Sequence, residues 1–276
     1  MEYGMRGTRE GNDSDPRGSI PARSNNLQRA MQRHNGDASG GRFNGQGASA
    51  WPYNQCKKTN DCKPLPMCSQ DSPNTDGIHI ADSTNIQVAN SVIGTGDDCI
   101  SIGPGCTNLT IFKVLCGPGH GISVGSLGKN AGEKDVIGLN VSNCNLTGTT
   151  NGLRIKTLQS SPSRLKATDF VFEHIIMNNV YNPIIINQNY CPSANCPKKD
   201  PSLVKIKNIK YRNIVGTFLS PIACNLVCSE VAPCEGVELS DISLKYNGNE
   251  KQPKNASICV HVYGSSNGNV KPDPCI

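Results

Sequence analysis

A short phrase recurs through the middle of the chain and limits what the chain can fold into. It reads Asp76-Gly-Ile-His-Ile80, Asp98-Cys-Ile-Ser-Ile102, His120-Gly-Ile-Ser-Val124, Asn151-Gly-Leu-Arg-Ile155 and Asn182-Pro-Ile-Ile-Ile186. The central aliphatics Ile78, Ile100, Ile122, Leu153 and Ile184 follow one another at 22, 22, 31 and 31 residues. A period of roughly twenty to thirty residues marks a solenoid, in which each unit buries its apolar face only against its neighbours. Here the units alternate like strands, so the pattern predicts an all-β parallel helix. Further strands are expected at Ile86–Ile93, Leu109–Leu115, Val136–Leu146, Asp169–Ile176, Val204–Ile209, Val237–Leu244 and Ile258–Tyr263. Asn85, Asn90, Asn108, Asn143, Asn208 and Asn213 fall at strand ends, where left-handed turns suit asparagine.

Composition agrees with stacked coils. Only 5% of residues are aromatic, while 28 are glycine. No apolar run is long enough to span a membrane. A net charge of +5, without aromatics interleaved among the basic residues, does not suit nucleic-acid binding. A mild positive balance is compatible with an acidic polymer. Residues 1–40 are polar, without periodicity or an apolar signal-peptide core, and are expected to be disordered; residues 41–276 are expected to form one domain.

Fourteen cysteines is a high count, and several pairs lie close in sequence: Cys56 with Cys62, Cys191 with Cys196, Cys228 with Cys234, and Cys259 with Cys275. Such spacing predicts local disulfides in an oxidising compartment. Zinc is the weaker alternative, because no Cys-x-x-Cys occurs. Sequons at Asn108, Asn140, Asn145 and Asn255 agree with secretion.

The charged residues sit at matching places in successive copies, so stacking gathers Asp76, Asp97, Asp98 and His120 into one patch. Three carboxylates this close need a proton or a cation among them. Alternation turns Ile78, Ile100, Ile122 and Leu153 inward and His79, Ser101, Ser123, Arg154 and Lys156 outward. It gives Asp97 outward parity but Asp76 and Asp98 inward parity. Both can reach the surface only where the strand starts with a bend; Gly77 provides for one at Asp76, whereas Cys99 does not at Asp98.

The set Asn74-Thr-Asp-Gly77, Gly96-Asp-Asp98, Gly119-His-Gly121 and Arg154-Ile-Lys156 resembles the four ordered motifs of the polygalacturonases of glycoside hydrolase family 28. These are pectin-cleaving enzymes of right-handed parallel β-helix fold. The stretches Thr95–Gly105 and Asn182–Gln188 are similar to the plant pollen-type branch, whose members are often exo-acting. The resemblance implies inverting hydrolysis of α-1,4-linked galacturonate, with one carboxylic acid protonating the leaving oxygen and carboxylates holding the attacking water. On that pattern Asp97 is the proton donor, and Asp76 and Asp98 hold the water with support from Asn74. His120 keeps the donor protonated or shapes the site. Arg154 and Lys156 bind the substrate carboxylate, and Tyr190 matches a tyrosine near the cleavage subsite. The resemblance also implies a Cys99–Cys116 bridge, no cofactor and no metal, and a monomeric protein of the cell wall with neither nucleic acid nor membrane as partner.

Family members carry a signal peptide and several coils before the first motif, whereas here the Gly41–Met67 segment runs almost directly into Asn74. A chain shortened at its N-terminal side is therefore expected. Its alternatives are a weakly active or inactive chain that binds wall pectin, or a pectate lyase using Ca²⁺ and an arginine base; the Asp-Asp and Gly-His-Gly motifs disfavour the lyase.

Overall fold

In the computed structural model, which describes residues 74–192, 196, 200–249 and 255–276, every regular element is a strand. In chain order these are β1 Ile78–Ile80, β2 Gln87–Ile93, β3 Ile100–Ile102, β4 Thr107–Cys116, β5 Ile122–Leu127, β6 Val136–Ser142, β7 Asn145–Thr147 and β8 Asn151–Leu158. There follow β9 Lys166–Val180, β10 Asn182–Tyr190, β11 Lys205–Phe218, β12 Cys224–Val227, β13 Cys234–Tyr246, β14 Ser257–Val260 and β15 Val262–Lys271. The chain alternates between two parallel sheets. The first runs β1-β3-β5-β8-β10-β12-β14, and the second runs β2-β4-β6-β9-β11-β13-β15, with β7 pairing β4 and β9 beside it. Each return adds one strand to each sheet, which makes the fold a right-handed parallel β-helix.

The recurring phrase forms the first sheet. Ile78, Ile100, Ile122, Leu153, Ile184 and Cys224 stand in unbroken register. Each is buried, at no more than 6% exposure, so the column forms one wall of the core. Facing it, Val88, Ile111, Val141, Phe172, Tyr211 and Leu239 form a second column on the other sheet. Phe172 and Tyr211 stack within it at 5.0 Å and 10°. Every rung thus depends on the next, as expected for a solenoid.

Strand limits differ from the alternation pattern where single residues adopt positive φ. The expected strand Val136–Leu146 is two, β6 and β7, parted at Asn143 with φ 54°. Ile258–Tyr263 likewise divides into β14 and β15 around His261, with φ 52°. Conversely, β9, β11 and β13 run longer than expected, with Asp169, Asn208 and Asn213 taking left-handed turns inside them. The six asparagines expected in left-handed turns all have φ between 49° and 57°. Two ladders link such turns across rungs: Asn108 donates to Asn85 at 2.6 Å and Asn208 to Asp169 at 3.0 Å.

Among the described residues four disulfides close, at Cys99–Cys116, Cys191–Cys196, Cys228–Cys234 and Cys259–Cys275. Cys106, Cys144 and Cys224 are free and buried, and burial pushes their thiols up to about 11, 11 and 12. They behave as small apolar core residues. The expected Cys56–Cys62 pair, the polar segment 1–40 and the 41–67 loop lie outside the described residues.

Candidate active site

The site lies on the outer face of the first sheet, at the starts of its strands. A local slip in alternation resolves how Asp98 reaches that face. The chain bends at Gly96, Asp97 and Cys99, and Cys99 and Ile100 are both fully buried. Two consecutive inward residues interrupt the alternation at the bend, so Asp98 reaches the outer face alongside Asp97. Cys99 supports the bend instead of opposing it, since its inward sulfur is bridged to Cys116. At Asp76 the bend falls on Gly77, as the sequence suggests. A Cβ there would lie 2.4 Å from Ile93 Cγ2 and 2.6 Å from the Cys99 carbonyl oxygen. In the next coil Gly121, at φ 84°, lets the turn carrying His120 close on its neighbour, where a Cβ would stand 2.1 Å from the Asn151 carbonyl oxygen.

Asp98 is the most enclosed of the carboxylates, at 2% exposure. Its Oδ1 accepts from Ser123 Oγ at 2.7 Å and from Arg154 Nη2 at 2.8 Å, and its Oδ2 accepts from Lys156 Nζ at 3.0 Å. Arg154 also donates through Nε to Ser123 Oγ at 3.0 Å. Two cations, Arg154 and Lys156, are thus turned onto Asp98. This arrangement leaves capacity. A carboxylate has about four lone-pair sites and a guanidinium five donors, so Asp98 keeps one acceptor site and Arg154 several N–H groups. The Tyr190 ring, at the end of β10, stands 5.4 Å from Lys156 Nζ and gives the ammonium a cation–π contact.

Asp97 is held differently. Its Oδ1 accepts from the Asp98 backbone N–H at 2.9 Å and from His120 Nδ1 at 2.8 Å. The backbone repeats the link, with His120 N donating to the Asp97 carbonyl at 2.7 Å. Both side-chain bonds fall on one oxygen, so Oδ2 is the position where a proton can reside. Asp76 accepts from Ser101 Oγ at 2.6 Å. Burial pushes the Asp76 carboxyl above its ordinary 3.8; the Ser101 bond opposes this, Asp98 and Asp97 add to it, and His79 opposes it. Asn74, the first described residue, is exposed in a left-handed turn at φ 57°. The Thr95 hydroxyl donates to the Thr75 carbonyl, which ties the Asn74–Asp76 strand entry to the Gly96–Asp98 bend.

The structure thus brings Asp97, Asp98 and His120 within 4.8 Å of one another, with Arg154, Lys156 and Tyr190 on the C-terminal side. Those three groups have the spacing of a metal site, but Arg154 and Lys156 already supply the positive charge at Asp98. His79, Ser101 and Ser123 complete the site and were not expected to. Parity places them on this face, but sequence shows no partner for them. Their register does, since His79, Ser101, Ser123 and Arg154 pair in successive strands.

The model of the glycosyl hydrolases family 28 matches residues 67–266. The chain belongs to that family. It is 41% identical over 278 residues to a polygalacturonase of Brassica napus, covering 86% of this chain and 70% of that protein. It is 39% identical over 276 residues to an exopolygalacturonase of Zea mays, covering 85% of this chain and 67% of that protein. A polygalacturonase of Medicago sativa is 48% identical over 196 residues, 71% of this chain and 47% of that protein. The chain thus spans between about half and 70% of the length of these relatives. Among solved structures, an endo-xylogalacturonan hydrolase from Aspergillus tubingensis aligns with TM-score 0.56 and 24% identity, over 72% of this chain and 56% of that one, a likeness of fold.

Proposed function

We propose that the chain hydrolyses α-1,4-galacturonosyl linkages of polygalacturonate by single displacement with inversion, acting from chain ends. The observation carrying this reading is the different treatment of adjacent carboxylates. Asp97 takes both its bonds on Oδ1, leaving Oδ2 to hold and deliver a proton, whereas Asp98 is fixed as an anion by two cations. A pair of carboxyl groups held by different partners suits acid-assisted displacement, in which one gives a proton and the other holds the water. Asp97 protonates the departing glycosidic oxygen. Asp76 and the remaining acceptor site of Asp98 hold the water, with Asn74 beside them, and take its proton as it attacks the anomeric carbon. His120 orients Asp97. The uncommitted donors of Arg154 and Lys156 grip the galacturonate carboxylate, and Tyr190 borders that subsite.

End-on action is supported by the relatives of the exopolygalacturonase type. The four disulfides among the described residues and the four sequons support a secreted glycoprotein, and the further proposal is a single domain over residues 41–276 working as a monomer on wall pectin. Product analysis on polygalacturonate tests the proposal. Galacturonate alone should be released, and a descending ladder of oligomers would instead show internal cleavage. Product absorbing in the ultraviolet would show elimination, and binding without new reducing ends would show a non-catalytic protein.

A further inference from the structure

The proposed reaction gives His79 no task, yet the fold makes room for its ring. His79 pairs in register with Ser101 and lies over Gly103, where a Cβ would stand 3.3 Å from both Cε1 and Nε2 of the imidazole. Its Nδ1 is 2.6 Å from Ser101 Oγ, and Ser101 Oγ is 2.6 Å from Asp76 Oδ2. An ionised carboxylate cannot donate, so the Ser101 proton must point to Asp76. Ser101 then offers His79 only lone pairs, which places the imidazole proton on Nδ1 and leaves Nε2 bare in the neutral ring. The result is a directed chain from His79 through Ser101 to Asp76, with the ring nitrogen itself 3.9 Å from the same carboxylate oxygen.

We propose that His79 is a positioning residue for the water-holding carboxylate. Through Ser101 it commits Asp76 Oδ2 to the protein and leaves Oδ1 for the water. In its charged form it also helps keep Asp76 ionised as the pH falls. Burial lowers the His79 pKa below its ordinary 6.5; Asp76 and Asp98 oppose that, and Lys156 adds to it. Those three are the charged groups that bear on the ring. Burial moves the two groups toward one another, His79 downward and Asp76 upward, and the ring nitrogen lies 3.9 Å from Asp76 Oδ2, close enough for each charge to act on the other. Protonation at Nε2 keeps the Nδ1 donor and adds a cation beside Asp76, which delays the loss of the base.

The inference deepens the proposed reaction and rests on it, and its test has one arm in turnover and one without. His79→Ala removes donor and charge, and kcat/KM on polygalacturonate should fall about tenfold. His79→Asn restores an N–H donor near the Nδ1 position and should recover most of that loss. The acid limb of its pH profile should nevertheless sit at higher pH than in the wild type. An Asn variant whose acid limb superimposes on the wild type, or an Ala variant with undiminished kcat/KM, overturns the proposal. In the second arm, proton NMR follows the His79 ring. Asp76→Asn should move its titration to lower pH, and an unmoved titration overturns the coupling. A protein in which that shift occurs but no reducing ends are released would count against the hydrolytic reading alone.

Discussion

The two sheets present opposite outer faces built from the same repeat. On the first sheet the outward groups around Asp98 are polar and enclosed. Asp98, Ser101, Ser123 and Lys156 are all buried, and each is bonded to another member of the row. On the second sheet an outward row passes through Val92, Leu115, Asn145, Ile176 and Val215 in register, and its four aliphatics are 44–67% exposed. The site holds charge away from water with specific partners, whereas this row leaves apolar side chains in water. Core stacking does not require the first arrangement, since the columns beneath both faces are equally continuous. The cost of burying Asp98 with two cations is met only by their mutual geometry, and such an assembly is informative about chemistry rather than stability.

Substitutions can break this contrast, beginning with the largest effect. Asp97→Asn removes the transferable proton while keeping the bonds to His120 and the Asp98 amide, so kcat should fall on the order of 10²–10⁴ with the melting temperature unchanged. Reducing-end assays and thermal unfolding check the two halves. Asp98→Ala strands Arg154 and Lys156 side by side without a counter-charge, and urea unfolding should show a loss of about 3–5 kcal/mol. Cys99→Ser with Cys116→Ser opens a loop of 17 residues under the Asp97–Asp98 bend, costing roughly 3 kcal/mol by the same measurement.

Two smaller effects sharpen the comparison. Asp76 must be ionised to take a proton, and its pKa lies above 3.8, so activity is present above that pKa and lost as pH falls through it. Ser101→Ala removes a bond that lowers the value, so the acid limb of the pH–rate profile should move to higher pH. On the opposite face, Leu115→Thr should change stability by no more than about 0.5 kcal/mol and leave turnover alone.

Much of the fold is legible from five aliphatics, because stacking forces Ile78, Ile100, Ile122, Leu153 and Ile184 into one column whatever the loops do. The site is less so. Alternation turns Asp98 inward, and only the paired inward residues Cys99 and Ile100 interrupt it; a bend of that kind leaves no periodic trace. The motifs name Arg154 and Lys156 as a grip, but their commitment to Asp98 depends on rung spacing, which the uneven steps of 22 and 31 residues conceal. His79 and Ser101 are hidden for a related reason. They are 22 residues apart and neighbours only across a coil. The breaks at Asn143 and His261 turn on single left-handed residues inside strands that alternate without interruption.

A single displacement by these carboxylates inverts the configuration at the anomeric carbon. Proton NMR of the first product formed from α-1,4-linked oligogalacturonate measures this most directly, before mutarotation scrambles the signal. The released reducing end should appear first as the β anomer and then equilibrate. Initial appearance of the α anomer, which requires a second displacement through a covalent intermediate, would contradict single displacement.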